Sequence, residues 1–223
     1  MQPDTEKRRV CIVDDHPLFR AQLRLLVEQE GDLDVCGEAD NVPAALTLIR
    51  STAPDLAIVD ISLKGCSGLE LLKDLRAQEL GVPILVLSMH DESLYAERAL
   101  RAGARGYITK QEASAKVMTA IRQVLAGEIY LDARAMRRLV GHVVGKATAE
   151  LNPIDRLTDR ELEVFELIGQ GRTTREIGCR LAVGSTTVDT YRARIKEKLH
   201  LENAPQLHAA ASRWVAERAT AAN

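Results

Sequence analysis

The amino-acid sequence predicts a doubly wound α/β domain with a five-stranded parallel sheet, followed by a small all-α domain. Short apolar runs alternate with longer amphipathic stretches as far as Ala126, whereas from Leu157 onward every apolar pattern has a helical period. The length of 223 residues exceeds that of most single domains and suits two.

Taken in order, strands are expected near Val10 to Val13, Leu33 to Ala39, Leu56 to Val59, Pro83 to Leu87 and Arg105 to Thr109. Helices are expected near Leu18 to Glu30, Val42 to Ser51, Gly68 to Gln78, Glu92 to Ala102 and Ser114 to Ala126. A helix between each pair of strands implies βαβ units, because a parallel neighbour is reached only by a crossover. In such open sheets ligands bind beyond the carboxyl ends of the strands, where strand order reverses. After "GEIYLD" at 127–132, a helical pattern from Ala133 to Val144 leads into "GKATAELNPIDR", which lacks periodicity and holds Gly145 and Pro153. The expected division is an α/β domain at 8–128, a linker with a helix at 129–153 and a helical domain at 154–218.

Composition narrows the function classes. A hydrophobic fraction of 46% and a charged fraction of 28% are those of an ordinary folded protein. No run approaches the roughly 18 apolar residues of a membrane span, and "MQPDTEKRRV" has no apolar signal region behind it. A cytoplasmic protein without membrane association is expected. Cys11, Cys36, Cys66 and Cys179 are scattered, with no metal-ligand spacing, which suits a reducing compartment. The net charge of -2 provides no global attraction to nucleic acid, so DNA binding would need a local basic surface.

Each expected strand but the second ends in a residue with chemical potential. Asp14 and Asp15 follow the first, Asp60 the third and Ser88 the fourth, while Lys110 lies just past the fifth. A parallel sheet brings them to one edge. Three carboxylates so placed repel one another and call for a counter-charge, for which a hard divalent cation such as Mg²⁺ is suited. With Lys110 and the Ser88 hydroxyl to hold added oxygens, the set can accept a phosphoryl group on a carboxylate nucleophile. Any one of these positions alone would be read as turn or cap chemistry; the ordered set is what carries the inference.

The strings "VDD" (13–15), "VDISLKGCSGLELL" (59–72), "LSMH" (87–90) and "GARGYITK" (103–110) resemble the receiver domain of bacterial two-component response regulators, a flavodoxin-like fold, over about residues 8 to 128. The resemblance implies that Asp60 is phosphorylated by a sensor histidine kinase and that Asp14, Asp15 and Asp60 hold Mg²⁺ with a backbone carbonyl near Ser62. It makes Ser88 the switch hydroxyl, Tyr107 the aromatic that reorients with it and Lys110 the phosphate partner. Lys64 departs from the proline common in the family, and His90 stands where relatives tune dephosphorylation.

In the second domain, Thr158 and Glu161 have the form of a capping box, and Leu162, Phe165 and Ile168 mark one helical face up to Gly169 and Gly171. A short helix from Thr173 and Thr174 to Leu181, a turn at Ala182 to Gly184 and a longer helix from about Ser185 to Leu199 form a helix-turn-helix pattern, with Gly178 permitting close approach. On the longer helix Val188, Tyr191, Ile195 and Leu199 form the inward stripe, leaving Thr190, Ala193, Arg194 and Glu197 outward. Its cations Arg192, Arg194, Lys196 and Lys198 outnumber Asp189 and Glu197. In the last helix Leu207, Ala211 and Trp214 share a face.

"LTDRELEV", "REI" with "RL", "TV" and "KL" resemble the LuxR-type DNA-binding domain of the NarL/FixJ response regulators over about residues 154 to 218. The resemblance implies contacts to double-stranded DNA by Thr187, Asp189, Thr190, Arg194, Lys196 and Lys198, with the last helix able to pair two such domains. Gly184 replaces the usual serine, Asp189 stands where many relatives carry a basic residue, and Ala193 occupies another frequent contact position.

The combined expectation is a non-enzymatic transcriptional regulator: phosphorylation of Asp60 controls homodimerisation and DNA binding. Two other readings stay open from the residues. A hydrolase using Asp60 as nucleophile lacks the second aspartate of the haloacid dehalogenases, where Ser62 stands instead. A phosphorylation-independent regulator or protein-interaction module would tolerate Asp189 and a weakly basic helical domain.

Overall fold

A computed structural model describes residues 7–63, 65–89, 92–133, 135–137 and 153–221. It divides into two compact units, 1–146 and 147–223. In the first, β1 (Arg8–Val13), β2 (Leu33–Ala39), β3 (Leu56–Asp60), β4 (Ile84–Ser88) and β5 (Gly106–Thr109) form a sheet in the order β2-β1-β3-β4-β5. All four pairings are parallel. The helices between strands are α1 (Pro17–Glu28), α2 (Val42–Thr52), α3 (Gly68–Ala77) and α4 (Glu92–Ala102), and α5 (Ala113–Leu125) follows β5.

The central strands β3 and β4 are apolar up to their last residue because helices cover both faces of the sheet. Val10, Ile12, Leu56, Ile58, Leu85, Leu87 and Ile108 face Leu23 and Val27 of α1 and Val117, Ala120, Ile121 and Val124 of α5. The intervening strand residues Cys11, Val13, Ala57, Val59 and Val86 are equally buried. After β1 the chain adds β2 on one side and then returns to place β3 on the other, so the order reverses between β1 and β3. The register Val13 to Val59 sets Asp14 and Asp60 at adjacent strand ends.

Some local features differ from the sequence expectation. Asp60 and Ser88 are the last strand residues and not the first loop residues, while Pro83 and Arg105 precede their strands. The stretch after α5, for which no strand was expected, returns to the sheet: Tyr107 N donates to Tyr130 O and Tyr130 N to Arg105 O, each at 3.0 Å. This pairing covers part of the outer edge of β5. Of the helix expected at Ala133 to Val144, positions 134 and 138–144 lie outside the described residues, as do Lys64, His90 and 145–152 of the linker.

In the second unit a 3-10 turn (Pro153–Arg156) precedes α6 (Asp159–Gly169), α7 (Thr174–Leu181), α8 (Ser185–Lys198) and α9 (Ala204–Ala221). Thr158 and Glu161 form the expected capping box, and Thr173 with Glu176 forms a second at the start of α7. Leu162, Phe165, Ile168, Ile177, Leu181, Val188, Ile195, Leu207 and Ala211 are buried. Trp214 is half-buried, its ring 5.6 Å from that of Phe165. Gly169 is there for packing as well as for ending its helix: a Cβ would stand 2.5 Å from the Ala211 carbonyl oxygen of α9. Gly178 makes room chiefly for the turn, since a Cβ would lie 2.8 Å from the Val183 oxygen. Ala182 makes that turn at a φ of 53°.

Candidate functional sites

The carboxyl ends of β1, β3 and β5 enclose a charged pocket. Asp14 and Asp60 are each 1% exposed. The Lys110 side chain, 4% exposed, puts Nζ 2.6 Å from Asp14 Oδ2 and 2.7 Å from Asp60 Oδ2. Its place is set by the strand before it, where Lys110 N donates to Ser88 O at 2.8 Å, and by the Phe19 ring, whose centroid lies 4.6 Å from Nζ. Asp60 Oδ1 accepts from Ser62 N at 3.2 Å. The turn that follows doubles back tightly: Gly68 N donates to Ile61 O at 2.6 Å. A Cβ on Gly68 would fall 2.0 Å from the Asp60 carbonyl oxygen, so only glycine lets α3 start directly beneath the acid.

Burial is the largest influence on Asp60 and pushes its carboxyl up; Lys110 pulls it down and Asp14 pushes it up again. The outcome is about 6, against an ordinary 3.8. Burial thus outweighs the pull of the ammonium on this carboxyl. Oxygen or nitrogen donors of Asp14, Asp15, His16 and Asp60 lie within 4.8 Å of one another. This acidic, oxygen-rich set is of the kind that holds Mg²⁺. Ser88 and Tyr107 are both fully buried near these strand ends, on β4 and β5.

Sequence reasoning missed several neighbours. His16 N donates to Asp14 Oδ1 at 2.8 Å, and its ring Nδ1 lies 2.7 Å from Asp15 Oδ1. Arg20 donates to the Asp14 carbonyl oxygen at 2.6 Å and to Glu38 at 3.1 Å, clamping α1 to the end of β1. The signal for His16 was its position directly after an acid pair. For Phe19 and Arg20 it existed only in the helical geometry that returns them over β1.

On α8, Thr187, Asp189, Thr190, Ala193 and Arg194 are exposed, Lys196 is half-buried and Val188 and Ile195 are inward. Lys198 does not join the outward set: its Nζ lies 2.6 Å from Glu161 Oε2, on the capping residue of α6. Burial alone would raise the Glu161 carboxyl, but Lys198 and the Thr158 cap hold it below its ordinary value. Arg192 is also engaged, donating to Thr174 Oγ1 at 2.9 Å. Exposed cations overlooked in the sequence lie instead just before α7, at Arg172, and on it, at Arg175 and Arg180.

Residues 10–122 match the response regulator receiver domain family, and residues 155–211 match the bacterial regulatory proteins of the luxR family. The chain is 34% identical over 201 residues to the virulence-factor positive transcription regulator BvgA of Bordetella pertussis, covering 89% of this chain and 94% of that one. It is 32% identical over 200 residues to response regulator GacA of Pseudomonas aeruginosa, covering 89% and 92%. Among solved structures, a LuxR-family two-component response regulator from Aurantimonas sp. SI85-9A1 matches at 33% identity and a TM-score of 0.58, over 62% of this chain and 99% of that one. RcsB of Salmonella enterica serovar Typhimurium, bound to promoter rprA with a phosphomimetic, shares the fold at 24% identity and a TM-score of 0.60, over 93% and 99%.

Proposed function

Because this chain belongs to the two-component response regulators with a LuxR-type DNA-binding domain, and so regulates transcription, we propose that Asp60 is the group through which it is switched. The observation that carries this is the Asp60 carboxylate itself: buried at the point where strand order reverses, and held by Lys110 on one oxygen and Ser62 N on the other. Asp60 attacks the phosphorus of a phosphohistidine on the partner kinase. The new P–O bond forms as the P–N bond breaks, and the imidazole leaves. Lys110 balances the charge of the added oxygens, and Ser88 and Tyr107 are the buried pair that adjusts to them. Asp14, Asp15, Asp60 and a backbone carbonyl near Ser62 are the groups that would hold Mg²⁺, which when bound supplies further neutralisation of phosphoryl charge.

Phosphorylation then acts by favouring the state of the α/β domain that pairs with a second copy and presents the helical domain to DNA. Thr187, Asp189, Thr190, Arg194 and Lys196 make up the DNA-contacting face of α8. Arg175 and Arg180 of α7 lie on the helix that crosses the phosphate backbone in helix-turn-helix docking. Lys198 supports this face through Glu161. No described helix is long and apolar enough to cross a membrane, which accords with a regulator working in the cytoplasm.

The test is incubation of the full chain with Mg²⁺ and acetyl phosphate, followed by intact mass and oligomeric state in the same sample. One added phosphoryl group with dimer formation, both abolished in Asp60→Asn, is expected. An unmodified protein that nevertheless dimerises and binds its operator would replace this reading with a phosphorylation-independent regulator.

A further inference from the structure

The DNA-facing side of α8 carries less free charge than its composition implies. Arg192 is engaged by Thr174 and lies 3.1 Å from His208 Nε2, and Lys198 is held by Glu161. Arg194 and Lys196 remain, opposed by the exposed Asp189 and Glu197. On the outward side these two cations are matched by two carboxylates, while Arg192 keeps its charge but turns its guanidinium to Thr174 and His208. Non-specific affinity must come from elsewhere in the unit, and Asp189 is a cost in the groove unless something there satisfies it.

Asp189 lies in the first two turns of α8, the part of such a helix that reaches base edges. An ionised carboxylate is an acceptor only, and the donor that suits it in the major groove is the N4 amino group of cytosine. The neighbouring side chains narrow the pattern. Thr190 Oγ1 donates its proton to the Thr186 carbonyl oxygen at 3.0 Å, so toward a base edge it offers its methyl group and an acceptor oxygen but no donor. Ala193, one turn beyond Asp189 and exposed, has only a methyl group to offer. Such groups pack on the C5-methyl of thymine.

We propose that Asp189 is the specificity-determining residue of this surface, accepting a hydrogen bond from a cytosine amino group in each half-site, with Thr190 and Ala193 against the methyl of a flanking thymine. This rests on α8 being the DNA-contacting helix. The carboxylate acts by exclusion as much as by attraction: a guanine or thymine in place of that cytosine presents only an acceptor, leaving Asp189 desolvated and unpaired. Because the outward side of α8 itself adds little non-specific binding, one such contact weighs heavily in the discrimination between sites.

The experiment is selection of duplexes from a randomised pool by the full-length phosphorylated protein, in parallel with Asp189→Ala, Asp189→Asn and Arg194→Ala, each monitored for unchanged melting temperature. Wild type is expected to recover sites with a C·G pair at one fixed position per half-site. Replacing that pair should weaken binding about tenfold or more, the discrimination one good base contact supplies. Asp189→Ala should lose the preference at that position alone while binding random duplex more tightly, and Asp189→Asn should move it to adenine. A cytosine preference retained in Asp189→Ala overturns the proposal. If wild type recovers no duplex above background and Arg194→Ala behaves identically, the reading of α8 as the DNA-contacting helix falls instead.

Discussion

Asp60 is held at a cost in the metal-free protein. Its carboxyl is raised to about 6 from 3.8, so between those values the folded chain binds more protons than the unfolded one. Stability is therefore greatest below about pH 4 on this account and declines as pH rises through 6, by on the order of 3 kcal/mol for a shift of about two units. In chelator, Asp60→Asn should melt at a higher temperature than wild type at pH 7.5. The difference should close as the pH approaches 4, and a pH series of thermal melts measures it. Lys198 and Arg194 make a second contrast on one helix. Lys198→Ala removes the partner of a buried capping carboxylate and should destabilise the helical unit by about 1–3 kcal/mol. Arg194→Ala, at an exposed position, should leave stability unchanged and weaken DNA binding, as urea melts and a binding titration would separate.

At the scale of elements, the termini and crossings of the helices decide how well each site is held. The two capping boxes satisfy backbone N–H groups at the starts of α6 and α7, and Thr173→Ala should cost about 1 kcal/mol. Gly169→Ala should cost more, about 1–3 kcal/mol, because its Cβ would meet both the Ala211 carbonyl and Val215 Cγ2 on α9 at 2.5 and 2.6 Å. The single tryptophan, Trp214, lies beside Phe165 in that unit, so its fluorescence during urea unfolding reports both changes. The expected helix-turn-helix agrees closely with α7 and α8 because cap residues, the turn and the apolar period all point the same way. The return of Tyr130 to β5 was not legible, since one bridged residue leaves no alternation to read.

For the molecule as a whole, charge is sparse where DNA is to be met. The chain carries a net -2, and among the described residues the exposed or half-exposed cations proposed for phosphate contact are Arg175, Arg180, Arg194 and Lys196. A plot of log binding constant against log salt should have a slope of about -3 to -4 per DNA-binding unit, since each neutralised phosphate contributes about -0.9. Titrations at several salt concentrations measure it, and a much steeper slope would place additional cations on the DNA.

The sequence by itself determined the two architectures, the order of the strands' chemical termini and the identity of the acids and the lysine. Those properties follow from periodicity and from the rule that parallel strands share one carboxyl edge. Only the tertiary structure decided which charges are already engaged. It joined Lys110 to Asp14 and Asp60, brought His16, Phe19 and Arg20 over the pocket, and withdrew Lys198 and Arg192 from the outward face of α8. A charged residue looks the same in a sequence whether it faces solvent or a partner, and its partner here is 16 to 96 positions away in the pairs concerned with Lys110, Lys198 and Arg192. Long-range pairing is set by how elements pack, and it is packing that left Arg194 and Lys196 beside Asp189 and Glu197 on the outward side of α8.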